Sequence, residues 1–166
     1  NVYGQLGEGG GGPTPTQMGV ANDWKYVSTA WFHTLAIKTD GTLWAWGDNG
    51  AGELGIGSWE STTTPTQVGN DSNWVSVSTG HAYTIALKAD GTIWSWGTNN
   101  NCGLQTLNEP DPTVPTRVGN ASDWVAVDAS EHSVLALNAK GEIWAWGRNF
   151  EGRLGDGTAE SRSSPV

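Results

Sequence analysis

The tetrapeptide Trp44-Ala45-Trp46-Gly47 returns as Trp94-Ser95-Trp96-Gly97 and again as Trp144-Ala145-Trp146-Gly147, fifty residues apart each time. A fixed period of about 40–50 residues marks stacked supersecondary units, each burying its apolar face against a neighbour. The period also directs the search for function. A residue present in every copy belongs to the architecture, so binding residues are to be sought where the copies differ.

The repeat extends well beyond its tryptophans. Trp24, Trp74 and Trp124 keep the interval, as do Pro15, Pro65 and Pro115, each followed by Thr. Short β-forming runs follow the first Trp, among them Val75-Ser76-Val77-Ser78. Next come Leu35-Ala36-Ile37-Lys38, Ile85-Ala86-Leu87-Lys88 and Leu135-Ala136-Leu137-Asn138, each leading into a turn dipeptide, Asp40-Gly41, Asp90-Gly91 or Lys140-Gly141. A Gly/Leu signature recurs as Gly4-Gln5-Leu6-Gly7, Gly52-Glu53-Leu54-Gly55 and Gly152-Arg153-Leu154-Gly155, and is degraded at Cys102-Gly103-Leu104-Gln105. The chain divides into units 1–48, 49–98 and 99–148 with a partial unit 149–166, a single tandem array over 1–166. It opens on Asn and stops inside a unit, so a longer parent chain is expected.

Composition points to an all-β fold. No stretch carries sustained apolar spacing at helical period, and 24 Gly with 7 Pro fit many tight turns between short strands. Essentially no helix is expected. There is no apolar run long enough for a membrane-spanning helix, no visible signal peptide and no expected membrane insertion. The net charge of −9 argues against phosphate-backbone binding, so no nucleic-acid partner is expected. The single cysteine, Cys102, excludes an internal disulfide framework and replaces a Gly of the signature.

The hairpins can be given a register. Read as a two-residue type I′ turn, Asp40-Gly41 pairs Thr39 with Thr42 and Ile37 with Trp44. Leu35, Ile37, Trp44 and Trp46 then form one bulky face, and Ala36, Lys38, Leu43 and Ala45 a leaner one, with the same division in the other two units. Small sheets of this kind stack large face on small, either radially as β-propeller blades or flat as a solenoid. About fifty residues suits a blade of up to four short strands.

The order of Trp74-Val75-Ser76-Val77-Ser78-Thr79-Gly80 onward to Trp94-Ser95-Trp96-Gly97 resembles the regulator of chromosome condensation repeat. The likeness covers essentially the whole chain. It implies about three consecutive blades of a seven-bladed β-propeller, and the Thr-Leu-Trp-Ala-Trp-Gly flavour is similar to bacterial and phage versions. Members of that family include a nucleotide exchange factor, an ultraviolet photoreceptor and a β-lactamase inhibitor, which share a rigid disc presenting loops to a protein. Fold alone does not choose among such roles. The exchange factor's loop insertion is missing from the regular spacing here. The photoreceptor motif has one imperfect copy, Ala30-Trp31-Phe32-His33-Thr34, with Phe in place of the Arg.

Catalysis finds little support in the residues. His33, His81 and His132 do not share a repeat column, and no HExxH or CxxC is present. The Gly9–Gly12 run lacks the Lys-Ser/Thr of a phosphate-binding loop. Asp156-Gly157 and Glu8-Gly9 suggest calcium, but Ile56-Gly57 occupies the same column. Asn70-Asp71-Ser72 and Asn120-Ala121-Ser122 match the glycosylation pattern, and turn chemistry accounts for them equally. No enzyme activity, metal or cofactor is expected.

Nine of the eleven tryptophans lie in the three repeated columns. Trp31 and Trp59 do not. Trp59 stands in the polar loop Ser58-Trp59-Glu60-Ser61, where two readings are open: an exposed protein-binding anchor, or a side chain folded back over the blade edge. Trp31 and Phe32 occupy the turn entering the inner hairpin, and Phe150 is a further unpaired aromatic. These four are the candidate binding residues. The expected function is a non-enzymatic protein-interaction module, in a surface or virion setting. The alternatives are a structural propeller decorating a larger assembly and, more distantly, an exchange-factor-like regulator. The expected partners are a protein of unknown identity and further blades, from the parent chain or other copies.

Overall fold

A computed structural model describes residues 1–7, 14–98 and 112–166. The Gly9–Gly12 run, Glu8 and Cys102-Gly103-Leu104-Gln105 lie outside the described residues. Among the described residues eleven strands form three antiparallel sheets. The first contains β1 (Trp24–Thr29), β2 (His33–Lys38), β3 (Leu43–Gly47) and β4 (Thr62–Gln67), hydrogen-bonded in that order. The second repeats it with β5 (Trp74–Thr79), β6 (Tyr83–Lys88), β7 (Ile93–Gly97) and β8 (Thr116–Arg117). The third contains β9 (Trp124–Ala129), β10 (Ser133–Asn138) and β11 (Ile143–Gly147). Backbone hydrogen bonds from Arg162 to Gly147 and from Val166 to Ala145 add a fourth row to it. The only helical turn among the described residues is a three-residue 3-10 turn, Phe150–Gly152.

Each sheet starts at the first Trp column and closes with the Thr-Pro column some forty residues later. The 1–48, 49–98 and 99–148 frame therefore cuts across the sheets while the fifty-residue period is kept. Pro65 is tolerated in β4 because an edge strand has no outer ladder needing its missing N–H.

The hairpin register differs from the sequence expectation by one residue. The Lys38 N–H donates to the Thr42 carbonyl (3.0 Å) and the Gly41 N–H to the Lys38 carbonyl (3.0 Å), closing a three-residue loop. Gly41, at φ +82°, is the left-handed residue that follows a type I turn in such loops. Asp40 braces the loop in the first hairpin, while the third closes the same loop with Lys140 in this column and the Asn138 Oδ1 as its cap. The Asp40 Oδ1 accepts hydrogen bonds from the Thr42 N–H (3.0 Å) and hydroxyl (2.7 Å), an arrangement repeated at Asp90 and Thr92. The extra loop residue pairs Ile37 with Leu43, Ala36 with Trp44 and Thr34 with Trp46. A one-residue slip sends every side chain to the other face. Trp44 and Trp46 keep a common face but share it with Thr34 and Ala36, whereas Leu35, Ile37, Leu43 and Ala45 form the other.

This corrected division explains the stacking. Leu35, Ile37, Leu43 and Ala45 of the first sheet pack on Trp74, Val77, Ala86 and Trp96 of the second. Ile85, Leu87 and Ile93 of the second pack in turn on Trp124, Val127, Ala136 and Trp146 of the third. An aliphatic face thus meets a Trp/Ala face at both junctions, and the Trp pair does not rest on an Ala-rich surface. Polar links cross near the inner strands: Ser28 to Thr79 (3.0 Å) and Ser78 to Asp128 (2.9 Å). The Asp-Gly turns dock on the following sheet as well, with the Trp74 N–H donating to Gly41 (3.2 Å) and the Trp124 N–H to Gly91 (3.1 Å). The aliphatic face of the third sheet is open. Ile143 is 73% exposed where its counterpart Ile93 is fully covered.

Candidate protein-contact face

In an up-and-down sheet, alternate connections emerge at the same end. The β1–β2 turn carries Trp31 and Phe32, the β3–β4 loop carries Trp59, and the loop after β11 carries Phe150. All four candidates therefore sit on connections at one end of their sheets, opposite the Asp-Gly turns.

Trp31 and Phe32 are brought into contact. Their ring centroids lie 6.1 Å apart, and Tyr3 packs edge-on against Phe32 at 5.0 Å. The segment bearing Tyr3 is a copy of the Gly/Leu signature loop. Its Gln5 carbonyl accepts hydrogen bonds from the Thr34 hydroxyl (2.7 Å) and the Trp46 indole (3.0 Å). In the following unit the Glu53 carbonyl does the same, accepting from Thr84 (2.8 Å) and Trp96 (2.9 Å). Trp31 continues sideways to His81 at 5.2 Å, and His81 to His132 at 6.1 Å, so three blades contribute rings to one row. Tyr3, His81 and His132 were not among the residues expected from the sequence. The signal was present: His81 occupies the repeat column of Trp31.

Trp59 is presented differently. The buried Asn49 amide donates to the carbonyls on either side of it, Ser58 (2.8 Å) and Glu60 (3.1 Å), while its oxygen accepts from the Leu54 N–H (3.0 Å). The flanking backbone is pinned, yet the indole stays half exposed. Asn149 organises the corresponding loop of the third blade by hydrogen bonds to Thr158 (3.0 Å) and Leu154 (2.9 Å), where Ala159 replaces the Trp. Phe150 is 60% exposed, with the Arg148 guanidinium 5.8 Å from its ring centre. Neither Trp59 nor Phe150 makes a ring contact with the Trp31–Phe32 pair.

The ionisable groups belong to the scaffold. His33 is fully buried, and desolvation lowers its pKa to about 4, against the opposing effect of the Tyr83 backbone. Its Nε2 lies 3.3 Å from the Thr84 hydroxyl. His132 is lowered by burial and then by Arg148, with Glu131 opposing. The calcium candidate Asp156 has donors on its carboxylate already: Thr158, Asn149 (3.0 Å) and Arg162 (2.7 Å). The Thr158 N–H, then Arg162, hold it far below the usual carboxylate range. It anchors the loop. Among the described residues no group of three His, Cys, Asp or Glu side chains is arranged to hold a metal ion.

Three stacked antiparallel sheets with loops gathered at one end define an array of β-propeller blades. Two models of the Regulator of chromosome condensation (RCC1) repeat match the chain, one over residues 40–87 and 140–166, the other over 24–53 and 74–103. Together they cover more than half of it, and the chain belongs to the RCC1 repeat family. Human WBSCR16 superposes with a TM-score of 0.85 at 22% identity, over 99% of this chain and 44% of that one. Prp20p from Saccharomyces cerevisiae, described with its binding to Gsp1p and histones, gives 0.77 at 22% identity, over 87% and 38%. Yeast RCC1 (Prp20) bound to Kap60 gives 0.75 at 22%, over 87% and 36%. The chain spans less than half the length of each of these structures. No curated protein sequence matches it significantly. RCC1-like propellers serve in general as binding or regulatory modules, a role the fold of this chain fits.

Proposed function

We propose that the chain is a non-enzymatic protein-interaction module whose contact surface is the end of the blades bearing Trp31, Phe32, Trp59 and Phe150. One observation carries the reading. The aromatics that break the fifty-residue pattern leave their sheets at one end, and three of them, Trp31, Trp59 and Phe150, are at least half exposed. Large exposed aromatics on a rigid frame make strong anchors, because little side-chain freedom is lost when a partner covers them. The hydrogen bonds of Asn49 hold the Trp59 loop in one shape before any partner arrives. The Tyr3–Phe32–Trp31–His81–His132 row adds a continuous aromatic strip near the inner strands.

Site-specific photocrosslinking tests this surface. A photoreactive phenylalanine analogue is placed at Trp31, Trp59 or Phe150 in cells of the source, and at the exposed Thr39 on the opposite end as the control. The same protein should be captured from the three aromatic sites and not from the control. Capture from Thr39 alone, or no distinct crosslink from any site, contradicts the proposal.

A further inference from the structure

In the first two blades a lysine fills a slot between two perpendicular tryptophans. The Lys38 ammonium lies 5.0 Å from the Trp24 ring centre and 4.9 Å from that of Trp44, with Asp23 at 3.1 Å as its counter-ion. Lys88 sits 4.6 Å and 3.9 Å from Trp74 and Trp94, with Asp71 at 2.7 Å. The third blade keeps the frame and drops the cation. Trp124 and Trp144 meet edge-on at 6.1 Å, like Trp24 and Trp44 at 6.3 Å, but the lysine column holds Asn138. Among the described residues no cation lies over either ring.

The slot is a cavity of about 420 Å³ lined by Trp124, Trp144, Asp123, Asn138, Glu142 and Lys140, among others. Asp123 stands in the column of Asp23, so the first blade's counter-ion is retained. The Asn138 amide donates to Glu142 (2.6 Å), and its oxygen accepts from the Lys140 (3.1 Å) and Glu142 (3.0 Å) N–H groups. A second change accompanies the first. The Trp44 and Trp94 indoles donate to the hydroxyls of Thr42 and Thr92 at 2.9 Å, whereas the third blade has Glu142 in that column and the Trp144 Nε1 is buried with no acceptor among the described residues.

From these observations we infer that the third blade carries a binding site for an alkylammonium group of lysine length, held between Trp124 and Trp144 and paired with Asp123. The faces of two indoles attract a cation, more strongly as water is excluded, and a nearby carboxylate adds charge pairing. The two sister blades show the chain's own lysines satisfying the same geometry. The site lies at the end opposite Trp31 and Trp59, so it stands independently of the contact face proposed above.

The test follows the indole N–H resonances of Trp124 and Trp144 in the full chain during titration with N-acetyl-lysine N-methylamide. Both signals should shift saturably, and the Nε-acetylated form, which lacks the charge, should leave them in place. N138K combined with K140D, which restores the Lys and the capping Asp of the two sister hairpins in place of the Asn138 cap, should retain the fold and should bind at least tenfold more weakly because its own ammonium fills the slot. A parallel titration with n-butylammonium separates the sources: tighter binding of the lysine amide assigns a lysine of a partner protein, and equal binding assigns free alkylamines. An absence of saturable shifts, equal response to the acetylated form, or unchanged affinity in N138K/K140D overturns the inference.

Discussion

At the scale of single residues, the copies differ in coupled ways. Gly80 has no side chain because the Tyr83 ring occupies the place a Cβ would take, and the Tyr83 hydroxyl donates to the Ser130 and Ser133 carbonyls of the next blade. In the first blade the same two columns hold Ala30 and His33, a larger residue beside a smaller ring. Gly80→Ala should therefore cost about 1–3 kcal/mol in urea denaturation, the range for overpacking. His33 makes a pH prediction. Its pKa of about 4 lies below the unfolded value of 6.5, so between those values the unfolded chain binds more protons. Stability is full above pH 6.5 and should fall by about 3 kcal/mol as pH drops to 4, at about 1.4 kcal/mol per unit. The double variant A30G/H33Y reproduces the second blade's pair and should fold with this acid slope removed. A slope unchanged in that variant would assign the acid sensitivity elsewhere.

At the scale of elements, the strands were legible in the sequence because turn signals and β-forming runs recur three times over. The pairing register was not. Asp-Gly suits both a two-residue loop and a three-residue loop with a left-handed glycine, and the extra loop residue is held by caps that differ between copies, Asp40 with Thr42 in the first hairpin and Asn138 with the Lys140 and Glu142 N–H groups in the third. That single residue decides which side chains share a face with the tryptophans. The signature loops were legible as a motif, but the role of their asparagine was hidden, because a buried amide linking Leu54, Ser58 and Glu60 depends on the loop's closed shape. Asn49→Ala leaves that N–H and those carbonyls unmatched, and each unsatisfied buried group costs about 1–3 kcal/mol. The variant should unfold at lower urea concentration by more than one such increment. It should also move the Trp59 fluorescence toward that of a free indole, as the flanking backbone is released.

At the scale of the whole molecule, one rule accounts for both junctions: an aliphatic face receives the tryptophan face of the next blade. The repeated tryptophans serve that rule, and the off-pattern aromatics are the ones we propose for contact. The sequence pattern made that distinction visible, whereas the common end of the loops needed the strand order and the rings of Tyr3, His81 and His132 needed coordinates. The distinction is measurable without a partner. Trp96 is fully buried between blades and donates its indole N–H to Glu53, while Trp59 is half exposed on a pinned loop. Equilibrium urea denaturation of Trp96→Ala and Trp59→Ala compares them directly. A loss of about 3–5 kcal/mol is expected for Trp96→Ala, the range for emptying a core aromatic site. For Trp59→Ala the expected change lies within about 0.5 kcal/mol, as for a surface position. Comparable losses in the two variants would contradict the division of the tryptophans into architecture and contact.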